Sequence, residues 1–127
     1  MIRECIQTIE ERYPDYYYWK YDMEHRNIRV PVAKIVGTSG VNNYRFNPDW
    51  TPRPEGRDPR WERVFESMKG IGWLAQRYSL PSLIKVKDEY FVVDDGNRRV
   101  SVAHMMGLKY IMADVTEMYP GTRRAGI

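Results

Sequence analysis

The sequence predicts one α+β domain, and three observations carry that prediction. Runs rich in β-branched and aromatic residues at 83–87, 90–93 and 110–115 read as short strands. Two stretches, 59–69 and 98–106, read as helices, each with a glycine placed to end it. The length, 127 residues, lies near the commonest size of a single domain.

Composition bounds the function classes. The hydrophobic share is 43%, with ten Tyr and four Trp, which argues against disorder over most of the chain. The formal charge of +3 permits nucleotide or nucleic-acid binding without demanding it. Cys5 is the single cysteine, so no internal disulfide forms, and a buried or half-buried structural thiol is the expectation. No apolar run reaches 18 residues, so no membrane partner is expected. Arg3, Glu4, Glu10 and Glu11 do not make a signal peptide, which leaves the cytoplasm as the expected location.

Taken in order, residues 2–12 read as an amphipathic helix, because Ile2, Cys5, Ile6 and Ile9 follow helical spacing and Pro14 stops it. The aromatic run from Tyr13 to Tyr21 fits a strand or extended wrap on the core; base stacking and a partner surface are its alternative uses. Ile28, Val30, Val32 and Ile35 give a strand that turns near Pro31. Gly37-Thr38-Ser39-Gly40 is a loop of small residues that can approach a ligand closely. Residues 41–60, broken by prolines and asparagines, form an irregular loop. Its Arg45, Arg53, Arg57 and Arg60 either close over an anion or remain a solvated surface.

Asp58 caps the next helix, Pro59 starts it, and Trp61, Val64, Phe65 and Met68 form its apolar face. Ile71–Leu74 extends this helix or makes a small one of its own. Residues 83–87 and 90–93 pair as a hairpin around Asp88-Glu89. Asp94-Asp95-Gly96-Asn97 breaks the second strand, and a helix follows from Arg98 to Met106, ended by Gly107. Tyr110–Val115 is a last strand, and a tail from Tyr119 to Ile127 is expected to fray.

The helix start at 96–99 carries the chemistry. The first N–H groups of a helix lack internal partners, and the helix dipole makes that end partly positive, so it binds phosphate readily. Gly96 admits a close approach, Asn97 tolerates an unusual turn angle and can donate from its amide, and Arg98 and Arg99 offer guanidinium forks. Two cations in a first turn oppose the dipole, a local cost that hints at a purpose. Capping of the helix by Asp94 or Asp95, or pairing of these arginines with them, is the competing explanation. Asp94 or Asp95 is also the candidate for holding magnesium or acting as a general base. His104 reads as a core or edge histidine, and a zinc site is not expected from one Cys and two distant His.

The run Leu83-Ile84-Lys85-Val86, then Tyr90-Phe91-Val92-Val93-Asp94-Asp95-Gly96-Asn97-Arg98-Arg99-Val100-Ser101-Val102-Ala103, then Gly107 and Ile111-Met112-Ala113-Asp114-Val115, resembles the ParB/sulfiredoxin-like domain. With Val32–Ile35, Gly37 and the helix at Arg60–Lys69, the resemblance spans about Arg29 to Glu117. It implies a compact α+β fold, a small mixed sheet with packed helices, over 28–118, with residues 1–27 as a helical and aromatic extension and 119–127 as a tail. It also implies a nucleotide ligand (ATP, ADP or CTP, with magnesium as a companion ion), held by Gly96, Asn97, Arg98 and Arg99 and bordered by Thr38, Ser39 and Arg45. Asp94 and Asp95 are then the catalytic candidates of a phosphotransferase, kinase-like enzyme or nucleotidase.

The departures narrow this. Asn97 stands where a sulfiredoxin has its cysteine, so sulfinic acid repair is not expected. ParB proteins commonly have glutamate at that place. The residues after 117 leave no room for a helix-turn-helix or dimerisation domain, so chromosome segregation is not the expected role. The alternatives are a DNA-binding module or ParB-like nuclease, and a non-catalytic interaction domain.

Overall fold

The computed structural model describes residues 5–71, 80–93 and 96–123. The chain runs β1 (Gln7–Thr8), α1 (Ile9–Arg12), a 3₁₀ turn at Tyr16–Tyr18, β2 (Trp19–Tyr21), β3 (His25–Pro31), β4 (Ile35–Thr38), α2 (Pro59–Ile71), β5 (Ser82–Val86), β6 (Glu89–Val93), α3 (Asn97–Met105) and β7 (Tyr110–Arg123). Further 3₁₀ turns occupy Val32–Lys34 and Val41–Arg45. The architecture is α+β.

Among the described residues the strands form one mixed sheet in the order β1-β4-β6-β5-β7-β2, with β3 also on β7. β1, β4 and β6 run parallel, and β5 closes a hairpin with β6. β7 holds β5 in parallel on one side and, on the other, first β3 and then β2 antiparallel. The segment expected as an extension therefore supplies β1 and β2 to the sheet, and position 28 falls inside β3.

The sheet has two covered faces, visible in the alternation along each strand. Tyr90 and Val92 of β6 face the larger core, with Trp61 and Met68 of α2, Val100 and Ala103 of α3, and Phe46 and Trp50 of the preceding loop. Phe91, between them, faces the other side, with Ile9, Tyr16, Trp19, Val86 and Met118. The aromatic run is thus divided: Tyr16 and Trp19 are buried in this second layer, and Tyr13 sits against Trp19 with ring centroids 5.1 Å apart. Tyr17, Tyr18 and Tyr21 are exposed.

Two expected elements change. The helix of residues 2–12 begins only at Ile9, because Thr8 and Glu11 form a reciprocal capping box there. Ile6 and Ile9, spaced like one helical face, serve opposite faces of the sheet. Cys5, ahead of this turn, is half-buried, and its Sγ accepts from Asn43 Nδ2 at 3.4 Å. The tail expected to fray from Tyr119 instead continues β7 to Arg123, with Tyr119 beside Lys20.

The other helices follow their local signals. Asp58 caps α2 by accepting from the Trp61 N–H at 2.8 Å. Gly107 takes the left-handed conformation (φ +68°) that ends α3, its N–H bonded to His104 O. The expected apolar piece at 71–74 lies outside the described residues beyond Ile71, the last residue of α2.

Candidate functional site

β4 and β6 run parallel, so their carboxyl ends lie side by side, with Thr38 opposite Val92. In open sheets with parallel strands, the space beyond those ends is where ligands collect. The Ser39 N–H donates to Val92 O at 2.7 Å and carries the ladder one residue past β4. β6 ends at Val93 and α3 starts at Asn97, which brings the helix N-terminus to the same edge.

Thr38 is fully buried, and its hydroxyl donates to Asn97 Oδ1 at 2.7 Å. Val92 O and Ser39 O lie farther off, at 3.3 and 3.2 Å, so the single hydroxyl proton belongs to Asn97. Asn97 is buried as well, at 7% exposure. With Oδ1 committed to Thr38, its Nδ2 donors point the other way, and among the described residues they make no hydrogen bond. Asn97 has helical backbone rather than the unusual turn angle expected of it.

Gly96 also serves another purpose than the one expected. Its φ of −85° suits any residue. A Cβ there would meet Pro81 Cβ and Val92 Cγ1, each at 3.0 Å, so the close approach of this glycine is to the sheet. Gly96 gives α3 no side-chain cap. The first-turn N–H groups of α3 therefore keep their positive end without a capping oxygen from that residue.

Arg98 and Arg99 occupy that first turn. Arg98 turns to Asp58, its Nη2 at 2.6 Å from Oδ2 and its Nε at 3.1 Å from Oδ1. Arg45 reaches the same carboxylate, Nη1 to Oδ2 at 3.3 Å. Asp58 thus joins two of the expected site arginines, and the paired arginine fork holds its carboxyl down at about 2, well below the usual carboxylate range. Arg99 is buried within α3. Asp94 and Asp95, expected as catalytic carboxylates and as partners of these arginines, lie outside the described residues.

The expected residues Thr38, Ser39, Gly96, Asn97, Arg98 and Arg45 are therefore drawn together, Arg45 through Asp58. Arg57 of the same loop turns elsewhere: it binds Glu62 at 2.7 Å and lies over the Trp61 ring. An open concavity of about 870 Å³ is lined by the 47–54 loop, Arg53 included, and contains none of the residues at the α3 terminus. Among the described residues no cluster of His, Cys, Asp and Glu could hold a metal ion. None of their helices is long and apolar enough to cross a membrane.

Two residues that brace this end of α3 have partners the sequence does not reveal. Asp58 was legible as a cap, but its arginine partner Arg98 is 40 residues away. Ser101, fully buried, donates to Trp50 O at 2.6 Å and accepts from Trp61 Nε1 at 3.0 Å, which ties loop, α2 and α3 together behind the site. Trp50 itself takes left-handed backbone, φ +71°. Its indole donates to Ile35 O at 2.8 Å, and its ring stacks on His104 at 6.0 Å. Burial pushes the His104 imidazole below its ordinary value, and its Nε2 is buried without a partner among the described residues. No position along the sequence signals such knots, because each pairs residues distant in the chain.

No family model matches the chain, and no curated protein does. Among solved structures, sulfiredoxin from Arabidopsis thaliana aligns with 77% of this chain and 89% of its own, at 17% identity and a TM-score of 0.46. The similarity is one of backbone course.

Proposed function

We propose that the N-terminal end of α3, with Thr38, Ser39, Asn97, Arg98 and Arg99 around it, binds the phosphate groups of a nucleotide. The observation that carries this reading is the Asn97 side chain. It is buried and fixed by Thr38 through its oxygen, and it keeps its amide donors at an N-terminus whose N-cap residue, Gly96, supplies no side-chain cap. Amide donors, orphan backbone N–H groups and the positive end of the helix dipole all favour an anion. Arg98 adds a fork already ordered by Asp58, so little side-chain entropy remains to be lost on binding. ATP, ADP and CTP are the candidate ligands. Reaction of the bound phosphate, as in a phosphotransferase or nucleotidase, falls in this reading to Asp94 and Asp95, as magnesium ligands or proton carriers.

Calorimetric titration with ATP, ADP and CTP, with and without magnesium, tests it. The protein should bind at least one of them. Arg98→Ala should weaken that binding about 10- to 150-fold, the range set by a charge-assisted hydrogen bond worth about 1.5–3 kcal/mol. Absence of binding to all three, or unchanged affinity in a folded Arg98→Ala protein, overturns the reading.

A further inference from the structure

Asp58 stands where three parts of the fold meet. Its Oδ1 is fixed by the Trp61 N–H at 2.8 Å, and Trp61 is itself completely buried. Its carboxylate takes the Arg98 guanidinium side-on, through Nε and Nη2, and takes Arg45 Nη1 from the loop before α2. All three side chains are part-buried, at 24%, 22% and 28% exposure, so the pairs are screened less than surface ion pairs. The cap matters for interpretation. A carboxylate on a free rotamer could swing aside and act as a rival anion for the arginines. One pinned to a helix N-terminus stays in place and acts as a strut.

We propose that Asp58 is a positioning residue of the phosphate site: anchored on α2, it sets the direction of Arg98 and ties the Arg45 loop to it. This rests on the phosphate reading above. Holding a long, rotamer-rich side chain in its binding geometry before the ligand arrives is worth up to about tenfold in affinity. The carboxylate also lowers the net positive charge near the ligand, so the two effects oppose each other, and the sign of the mutant effect decides between strut and rival.

Asparagine and serine both cap helices well, so Asp58→Asn and Asp58→Ser keep the α2 cap while removing the charge that holds Arg98. ATP affinity is measured by calorimetry for the wild type, Asp58→Asn, Arg98→Ala and the double variant, with inorganic pyrophosphate as a second probe and Tm as the check on folding. Asp58→Asn should weaken binding about tenfold. In the Arg98→Ala background the same change should alter affinity less than about twofold, because only the longer contact to the Arg45 loop is left to position. Unchanged or tighter binding by folded Asp58→Asn or Asp58→Ser overturns the proposal, and so does an equal loss with and without Arg98. If the wild type binds and Arg98→Ala does not, while Asp58→Asn binds normally, this proposal falls and the phosphate reading stands. If the wild type binds neither of these probes nor ADP or CTP, both fall.

Discussion

Replacing Ser101 with alanine removes one oxygen and orphans two buried groups. The hydroxyl donates to the Trp50 carbonyl at 2.6 Å and accepts from the Trp61 indole at 3.0 Å. Ser101, Trp50 and Trp61 are 0%, 1% and 0% exposed, so water cannot take the vacated place without local opening. A buried polar group left without its partner costs about 1–3 kcal/mol. Two such groups amount to about 2–6 kcal/mol, and the better helix propensity of alanine recovers about half a kcal/mol, which leaves about 1.5–5.5 kcal/mol for Ser101→Ala. Unfolding entropy is about 2.1 cal/mol/K per residue. Over 127 residues each kcal/mol then moves Tm by about 4 °C, so the expected fall is about 6–20 °C. Urea unfolding followed by tryptophan fluorescence and by circular dichroism should show a lower midpoint with an unchanged slope. Fluorescence is the apt probe, since both tryptophans touch the missing oxygen. A loss below about half a kcal/mol, the level of an ordinary surface substitution, would refute the reasoning, because it would mean that neither hydrogen bond contributes in the folded protein.

Two further outcomes follow from the same core. His104 is held below its ordinary value by burial, so the unfolded chain takes up a proton that the folded one resists. Its contribution to stability is full above the unfolded value of about 6.5 and falls as pH drops below it, toward the folded value. Urea midpoints between pH 7.5 and 5.5 should decline in the wild type and stay flatter in His104→Phe, which keeps a ring against Trp50; parallel slopes in the two proteins would contradict this. At Gly37 an added Cβ would lie 2.7 Å from the Phe91 ring and 2.8 Å from Gln7 O, while at Gly96 the nearest contacts are 3.0 Å. Gly37→Ala should therefore destabilise by about 1–3 kcal/mol and Gly96→Ala by less; thermal melts that reverse this order would count against the packing described for β4 and β6.

Much of the fold is legible because its signals are local. Asp58-Pro59 and the apolar residues 61, 64, 65 and 68 mark α2, the β5–β6 hairpin is two apolar runs around a polar turn, and Gly107 ends α3 where it should. The N-terminal helix misleads for a physical reason. Ile6 and Ile9 satisfy helical spacing, yet each is buried because a sheet stands between them, one under α2 and α3 and the other under the aromatic run. β7 is underestimated because Pro120 and Gly121 read as a tail, although β2 pairs across that stretch. At the site, small residues and arginines point to Thr38, Ser39 and the helix start. The hydroxyl that fixes Asn97 is 59 residues away from it in the chain, and the carboxylate that fixes Arg98 is 40 away. Contacts of that kind are decided by topology, not by neighbours in sequence.

The placement of β7 governs the order in which this protein can be built. Among the described residues it is the last strand, and it supplies the partner for β5 on one side and for β3 and β2 on the other. On the ribosome, β2 and β3 emerge early and must wait, with Tyr17, Tyr18 and Met23 beside them, until residues 110–123 appear. Such pairings across most of the chain bear a large loop-closure cost and slow the search for the native state. A nascent chain stalled at Lys109 would present unpaired strand edges and would leave both hydrophobic layers without what β7 supplies, Ile111, Ala113 and Val115 to one and Met118 to the other, so aggregation or chaperone capture during synthesis, more than instability of the finished fold, is the hazard this topology creates.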